Sequence, residues 1–401
     1  MKITLYDPPE VWLDLLPFTY TRPISEIRVG GLTIREKWLQ YFNTEINNQS
    51  ESYLSSIFPY RDNSVNIWSN ILPDKALAKA IENLEPGTVL VDSAEKPLAF
   101  HKKNDQSIDS YKDNETNHTK YEDEVFRINN LWDIFQYNGM EIGKDYDLVT
   151  KGRNQTSLQD PFTKIYSPEN VFIEEGAKVM ASILNAEEGP IYIGKNCHIQ
   201  EGSIIQGPFY LGDNSVVNMG AKIRKNNSTG PHTKIGGELS NSIIFGYSNK
   251  AHDGFLGNSV VGEWCNIGAD TNTSNLKNNY GEVKIWNYRQ NRFVGTGSQF
   301  CGLMMGDHSK CAINTMFNTG TVVGVAANIF GSGFPRTSVP SFSWGGSSGY
   351  KTFQFDKAIE ASEAMMDRRD CKLSVEEKSV LEHVFNISQK YRIWETRVNE
   401  V

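Results

Sequence analysis

Residues 191–223 read IYIGKNCHIQEGSIIQGPFYLGDNSVVNMGAKI, and in this stretch an aliphatic side chain returns at every sixth position. The residues of this first series are Ile193, Ile199, Ile205, Leu211, Val217 and Ile223. A second series with the same spacing is Met305, Cys311, Phe317, Val323 and Ile329. A period of six fits neither an α-helix nor a flat strand, so the chain has to turn a corner once in each repeat. The pattern predicts a triangular coil with three short parallel strands per turn and one inward apolar residue on each side.

The repeat is interrupted twice and then ends. The interruptions are RKNNSTGPHT at residues 224–233 and NLKNNYGEVKIWNYRQNR at residues 275–292, and we expect both to form loops outside the coil. After about Trp344 the segments DKAIEASEAMMDRRD and SVEEKSVLEHVFNISQKY have helical patterns. The second begins with Ser374 and Glu377, which are spaced for a capping box.

The first hundred residues alternate short apolar runs such as TVLVDS with helical patterns such as TIREKWLQYFNTEI, which predicts an α/β domain. The polar segment HKKNDQSIDSYKDNETNHTKY has almost no apolar side chain to bury and predicts an exposed or disordered insertion. We therefore predict an α/β domain at residues 1–160 with the insertion at 101–121. A β-helix at 165–345 and a helical tail at 346–401 follow it.

Composition restricts the partners. A net charge of −8 over 401 residues argues against a nucleic-acid partner, because nucleic acids select clustered Lys and Arg. No apolar run approaches the roughly 18 residues of a membrane span, and MKITLYDPPEVW is not typical of a signal peptide, so we expect a cytoplasmic protein without a membrane anchor. The five cysteines include no C-x-x-C pair, which predicts reduced, buried thiols.

The segment NSIIFGYSNKAHDGFLGNSVVGEWCNIGADTNTSNLK, residues 241–277, narrows the interpretation. It resembles the left-handed β-helix of the bifunctional N-acetylglucosamine-1-phosphate uridyltransferase/glucosamine-1-phosphate acetyltransferases, and the resemblance covers roughly residues 165–335. The matching positions are His252, Asn266, Ala269 and Asn275. The whole chain looks most like the divergent form of this bifunctional enzyme in Bacteroidetes-type bacteria.

The resemblance implies a homotrimer that transfers an acetyl group from acetyl-CoA to the amine of glucosamine 1-phosphate. An ammonium group is not nucleophilic, so the reaction needs a base that accepts a proton near neutral pH, and a histidine suits that task. The resemblance assigns this role to His252. It assigns stabilisation of the tetrahedral oxyanion to the backbone N–H of Ala269.

Further site residues follow from the same resemblance. The implied substrate contacts are Arg224, Lys250, Phe255, Asn266, Asn275 and Lys277. Arg224 corresponds to a phosphate ligand, and the alternative for it is a solvated basic face in KIRKN. Lys250 is the nearest replacement for a family lysine, and Phe255 stands in place of a tyrosine. Thr296 matches a residue beside the CoA arm, and Arg336 a contact to the CoA phosphates.

The N-terminal half contains LLPFTYTRPISEIRVGGLTIREKWL at residues 15–39, which resembles the opening motif of sugar-phosphate nucleotidyltransferases with a Rossmann-like fold. This implies nucleotide contacts at Thr21 and Arg22. In GTVLVDSAEKPLAF, Asp92 corresponds to the carboxylate that binds nucleotide and Mg²⁺, or it merely ends a strand. Where the family has a glycine-rich phosphate loop, this chain has DPPEVWLD, in which two prolines remove backbone donors.

Two alternatives to an acetyltransferase stay open. One is a nucleotidyltransferase that uses UTP or dTTP and a sugar 1-phosphate, with a β-helix that only assembles or regulates it. The other is a non-enzymatic trimeric scaffold. A zinc site is not expected, because His232, His252 and His308 lack the spacing of the zinc-binding β-helix enzymes.

Overall fold

The protein is described by a computed structural model that covers residues 2–103, 106–113, 116–158 and 160–396. Residues 104, 105, 114 and 115 of the predicted insertion and the last five residues of the predicted tail lie outside this description. The chain forms two compact units. The first comprises Met1–Leu15, Arg22–Ile27 and Leu32–Asp133, and the second comprises Leu16–Thr21, Arg28–Gly31 and Ile134–Val401. The domain boundaries at residues 160 and 345 stay predictions.

The first unit contains a six-stranded sheet. In spatial order its strands are Ile46–Gln49, Ile3–Tyr6, Val65–Trp68, Pro97–His101, Thr88–Val91 and Asn117–Lys120. Pro97–His101 is antiparallel to both of its neighbours, and the other pairs are parallel. The helices of this unit are α1 (Pro9–Asp14), α2 (Ile34–Tyr41) and α3 (Lys75–Glu82). The predicted α/β class of this unit is confirmed.

Cap residues set the start of the two longer helices. Thr33 and Glu36 form a capping box at α2, and the Asp74 carboxylate accepts the Leu77 N–H at α3. The short 3-10 helices of the unit are Ile24–Glu26, Ser52–Leu54 and Ile108–Lys112, and a further short strand is Leu32–Thr33. Within the predicted insertion, Asn117–Lys120 pairs in parallel with Thr88–Val91 as an edge strand. Its four side chains are exposed.

The second unit is a three-sided parallel β-helix. The first face consists of Val171–Ile173, Ile191–Ile193, Phe209–Leu211, Asn227–Thr229, Ile243–Gly246, Val260–Glu263, Leu303–Met305, Thr321–Val323 and Ser338–Val339. The second face consists of Lys178–Val179, His198–Ile199, Val216–Val217, Lys234–Ile235, Asn249–Lys250, Asn266–Ile267, Lys310–Cys311, Asn328–Ile329 and Ser343–Gly346, with Gly349–Thr352 antiparallel at the end. The third face consists of Lys164–Tyr166, Ile183–Asn185, Ile204–Gln206, Lys222–Ile223, Glu238–Ser240 and Phe255–Gly257, followed by the pair Asn272–Thr273 and Met316–Phe317.

The core of the β-helix is the stack of inward side chains. All eleven residues of the two series spaced by six are buried in one apolar cluster. The predicted left-handed β-helix is confirmed. Four cysteines are buried and Cys371 is partly exposed, and none forms a disulfide. Corner residues adopt left-handed backbone conformations, for example Asn214 with φ of 58° and Asn258 with φ of 48°.

The first predicted interruption is wrong. Residues 224–233 stay in the coil, because Asn227–Thr229 pairs with Phe209–Leu211 on the first face. The Asn227 side chain is buried, donates to the Leu239 carbonyl oxygen and accepts the Ser242 N–H. These hydrogen bonds let polar residues occupy inward positions that the period of six reserves for apolar ones.

The second interruption is an external hairpin of Lys284–Asn287 and Arg292–Gly295. The remaining helices are α4 (Leu131–Gln136), α5 (Asn138–Thr150), α6 (Phe355–Asp367), α7 (Val375–Ile387) and α8 (Ile393–Thr396). Short 3-10 helices lie at Phe18–Tyr20, Pro168–Asn170 and Gln389–Tyr391, and a short strand at Arg28–Val29. The predicted capping box of Ser374 and Glu377 opens α7. Among the described residues, no helix has the length and apolarity to cross a membrane.

Candidate active site

His252 lies at the corner between the second and third faces. It follows the strand Asn249–Lys250 and precedes the strand Phe255–Gly257. Its side chain is exposed, whereas its carbonyl oxygen accepts a hydrogen bond of 2.6 Å from the Lys250 ammonium. The imidazole is thus open to solvent on a backbone that is held from inside the coil.

Ala269 occupies the same corner one coil further along. Asn249 pairs with Asn266, 17 residues later, and the Asp270 N–H donates to the Asp253 carbonyl oxygen at 3.0 Å with the same offset. His252 and Ala269 are also 17 residues apart, so they follow one another at this corner. Neighbouring coils of such a helix are about 4.8 Å apart.

The backbone N–H of Ala269 belongs to a partly exposed residue. Among the described residues no acceptor pairs with it, although the Ala269 carbonyl oxygen accepts the Asn314 N–H at 2.8 Å. A methyl side chain leaves room for a substrate to approach this donor. An exposed imidazole and an unpaired amide on consecutive coils are the groups that a base and an oxyanion donor require.

Lys250 is not a surface cation. It pairs with Ile235 on the second face, points into the coil, and is 1% exposed. Its ammonium donates to the carbonyl oxygens of Gly236, His252 and Asp253. In this structure the side chain is enclosed and all three of its donors are used, which leaves none for the predicted substrate contact at Lys250. Its position supports the turn that carries His252.

We expect the stability contribution of Lys250 to depend on pH. Burial lowers its pKa from 10.5 to about 8, although Asp253, Cys311 and Asp270 raise it. The unfolded chain therefore binds more protons between about pH 8 and pH 10.5, and this side chain makes the free energy of unfolding rise with pH in that window. Denaturant unfolding of the wild type and of Lys250→Met at several pH values measures this difference.

The exposed variant Lys178→Met is the matched control, because Lys178 lies on the same face with its side chain in solvent. The free energy of unfolding of this control should depend on pH as it does in the wild type. Only Lys250→Met should lose the rise of this free energy with pH. Parallel pH profiles for all three proteins would contradict the assignment.

Two of the three other predicted sugar contacts lie beside the corner that carries His252, and the third lies farther away. Asn266 lies on the second face and accepts a hydrogen bond from the Asn249 amide at 3.3 Å. Phe255 begins the third-face strand, and its N–H donates to the Asn272 side chain at 2.9 Å. Asn275 donates to Asn258 at 2.7 Å, at the far end of the third face. Asn266 and Phe255 thus lie on either side of the corner, while Asn275 is one face away.

Two predicted cationic contacts are paired within the protein. Arg224 is exposed and forms an ion pair with Glu238 at 3.1 Å. Lys277 donates to the carbonyl oxygen of Glu282, in the loop before the external hairpin. An exposed ion pair of this kind contributes little to stability, so Arg224 stays accessible to a competing anion.

The two predicted CoA contacts differ in burial. Thr296 is buried, and its hydroxyl donates to the carbonyl oxygens of Val283 and Ser298, so it stabilises the hairpin base. Arg336 is exposed and lines a cavity of about 540 Å³. Six aromatic residues line the same cavity: Trp286, Tyr288, Phe293, Tyr350, Tyr391 and Trp394.

The predicted nucleotide contacts are also engaged. The Thr21 hydroxyl donates to the Asp307 carboxylate at 2.6 Å within the β-helix unit. Arg22 is buried in the first unit, 6% exposed. Arg22 is thus withdrawn from solvent, whereas Thr21 is partly exposed with its hydroxyl engaged.

The predicted metal ligand Asp92 is engaged within the protein. It lies in the tight turn between two antiparallel strands, where it accepts the N–H groups of Ala94 and Lys96 and pairs with Arg127 at 2.8 Å. Burial raises its pKa, but the Lys96 hydrogen bond and the Arg127 guanidinium lower it further. Within the described ranges, no three His, Cys, Asp or Glu side chains are grouped to bind a metal. The residues around Asp92 therefore do not fit Mg²⁺.

Sequence reasoning missed Asp7, which directly follows the interior strand Ile3–Tyr6 at its carboxyl end. Its buried carboxylate accepts the Ile24 N–H at 3.0 Å and the Ser69 hydroxyl at 2.5 Å. Burial raises its pKa to about 6, although these hydrogen bonds lower it. A carboxylate at this end of a parallel strand opposes binding of a polyphosphate there. The signal was the segment DPPEVWLD itself, which places this acid directly after the first strand.

Three comparisons relate parts of the chain to known proteins. A family model for sugar nucleotidyl transferases matches residues 3–154. The bifunctional sugar-1-phosphate nucleotidylyltransferase/acetyltransferase of Sulfurisphaera tokodaii is 29% identical over 201 residues, 49% of this chain and 46% of that protein. The bifunctional protein GlmU of Methanococcus aeolicus is 30% identical over 205 residues, 50% of this chain and 46% of that protein.

Among solved structures, the polySia-specific acetyltransferase NeuO aligns with 14% identity and a TM-score of 0.26, covering 49% of this chain and 85% of that one. The chain spans about half the length of the curated relatives it matches. The relative from Sulfurisphaera tokodaii is named for two transferase activities, and transferase is the enzyme class that the sequence predicts. Residues 3–154 thus match the family model for sugar nucleotidyl transferases, and part of the chain is similar to a bifunctional sugar-1-phosphate nucleotidylyltransferase/acetyltransferase.

Proposed function

We propose that the β-helix transfers the acetyl group of acetyl-CoA to the amine of an amino-sugar 1-phosphate, with glucosamine 1-phosphate as the expected acceptor. The observation that carries this proposal is the corner at which the exposed His252 and the unpaired N–H of Ala269 follow one another on consecutive coils. The names of the relatives agree with acetyl transfer to a sugar phosphate.

The reaction follows from these two groups. The neutral amine attacks the thioester carbonyl carbon, and the oxygen of the tetrahedral intermediate accepts the Ala269 N–H. His252 takes the proton that the amine loses when the N–C bond forms. The C–S bond then breaks, and the protonated imidazole returns that proton to the CoA thiolate. The products are the N-acetylated sugar phosphate and CoA.

Turnover of the wild-type protein tests this proposal. Acetyl-CoA is offered with glucosamine 1-phosphate, galactosamine 1-phosphate and glucosamine 6-phosphate, and the N-acetylated product is quantified by mass spectrometry. We expect product with a 1-phosphate acceptor. Absence of product with every acceptor would contradict acetyl transfer and would favour the scaffold alternative.

A second candidate function is nucleotidyl transfer from UTP or dTTP to the sugar 1-phosphate. The family match at residues 3–154 favours it, whereas the Asp7 carboxylate and the two prolines after it oppose phosphate binding by the backbone. Pyrophosphate release with Mg²⁺, either nucleotide and N-acetylglucosamine 1-phosphate measures this activity. Release comparable to acetyl transfer would establish a bifunctional enzyme, and its absence would leave the β-helix as the catalytic unit.

The homotrimer that the resemblance implies is part of the same proposal. Flat faces of a triangular prism pack well around a three-fold axis. Sedimentation equilibrium of the full chain is the direct measurement, and a monomer would contradict this part.

A further inference from the structure

A pocket of about 420 Å³ lies on the second face of the β-helix, beside the end of helix α6. Its wall on the coil consists of outward side chains from four consecutive strands: Lys234, Asn249, Asn266 and Lys310. Its opposite wall consists of Ala364, Met365, Arg368 and Arg369. Four of these lining residues are cationic and none is acidic.

The cations of this pocket lack counter-ions. Among the described residues, Lys234, Lys310 and Arg368 pair with no carboxylate. The Lys310 ammonium donates to the His308 carbonyl oxygen at 3.1 Å, and burial lowers its pKa. Arg369 donates to the His232 carbonyl oxygen and to the Asn249 side chain. A partly buried ammonium with donors left over favours an anionic ligand.

A structural role accounts for only part of the cluster. Arg368 and Arg369 follow the last residue of α6, where cations stabilise the end of a helix. This does not explain Lys234 and Lys310 on the facing wall, because four like charges around one pocket repel each other. Arg224 and Lys250, which the sequence predicts as substrate cations, are meanwhile paired with Glu238 and enclosed in the coil, respectively.

The pocket lies close to the candidate active site along the chain. Asn249 and Asn266 belong to the two coils that carry His252 and Ala269, each three residues before those positions. The corner with His252 is at the edge of the face on which the pocket lies. A ligand whose phosphate binds in the pocket therefore lies on the same face as this corner. We propose that this pocket binds a phosphate group of a substrate, and that α6 therefore forms part of the substrate site.

The role in catalysis rests on the proposed function, whereas phosphate binding does not. The chemistry that the pocket recognises is a phosphate monoester or pyrophosphate group, held by ammonium and guanidinium donors. In the proposed reaction this group comes either from the sugar 1-phosphate or from CoA.

The double variant Lys234→Ala/Arg368→Ala tests the pocket, because both side chains are exposed and their loss leaves the core intact. The matched control is Lys178→Ala/Lys372→Ala, which removes the same charge from the same face and from the loop after α6. Isothermal titration with inorganic phosphate, glucosamine 1-phosphate, glucosamine and CoA is performed on the wild type and both variants. We expect the test variant to bind the phosphate ligand at least about tenfold more weakly, the effect of losing charge-assisted hydrogen bonds.

The result identifies the source of the phosphate. Weaker binding of glucosamine 1-phosphate with unchanged CoA binding assigns the pocket to the sugar phosphate, and the reverse assigns it to CoA. Equal affinities in the test and control variants, or no phosphate binding by the wild type, would overturn the proposal. A wild type that binds phosphate through these residues but forms no acetylated product refutes the proposed acetyl transfer and leaves the pocket assignment standing.

Discussion

Replacing His252 by alanine is expected to reduce acetyl transfer by about a hundredfold to ten-thousandfold, the usual contribution of a general base. Without the imidazole, the proton of the attacking amine has to pass to water. The side chain is exposed, and only its backbone carbonyl takes part in the contact with Lys250. The variant should therefore keep the fold of the wild type. Turnover at saturating acetyl-CoA and the thermal midpoint are measured together.

His198→Ala is the control, because His198 also lies on the second face, but on a coil distant from the Ala269 corner. It should retain the turnover of the wild type. If His252→Ala kept its activity, or if both variants lost activity equally, the assignment of His252 as the base would fail. A loss in His252→Ala that small exogenous imidazole restores would support the assignment independently.

Gly230→Ala is expected to destabilise the β-helix by about 3 kcal/mol or more, at the upper end of overpacking effects. A Cβ at this position would lie 1.5 Å from the carbonyl oxygen of Phe245 on the next coil. The Gly230 N–H also donates to the Ile244 carbonyl oxygen at 2.8 Å. The clash is with backbone, so relief requires separation of two hydrogen-bonded coils. Denaturant unfolding followed by far-UV circular dichroism measures the loss.

Gly143→Ala makes the matched comparison within the same unit. Gly143 is inside helix α5, and a Cβ there would meet no atom within 4 Å. The substitution should stabilise the protein by up to about 1 kcal/mol, because alanine favours the helical backbone over glycine. If both variants were equally stable, close approach of the coils at Gly230 would not be a constraint.

The architecture could be predicted from the sequence because the coil repeats its own geometry. An apolar side chain is required at every sixth position, so Ile193 and Ile329 are assigned to the core without any knowledge of distant contacts. The capping box at Ser374 is equally local, since its hydrogen bonds join residues three apart.

Ligand roles and loops depend on residues that are distant in the sequence, and the sequence pattern does not identify these neighbours. The sequence suggested Arg224 and Asp92 as ligands, but Glu238 on a neighbouring strand pairs with Arg224, and Arg127, 35 residues further along the chain, pairs with Asp92. Residues 224–233 were predicted as a loop, yet Asn227 fits inside the coil because the backbone around it supplies its hydrogen bonds. A residue type indicates what a side chain is able to bind, whereas the neighbouring coils decide what it binds in the folded chain.

The sequence by itself determined the three-sided coil and the spacing that links His252 with Ala269. Only the tertiary structure decided which side chains near them face solvent. Coil lengths vary, since Lys250 follows Ile235 by 15 residues and Asn266 follows Asn249 by 17, so counting by six loses the distinction between inward and outward positions. Lys250 consequently points inward and supports the turn of His252. Lys234 and Lys310 point outward and line one pocket with the two arginines that follow α6, more than fifty residues further along the chain.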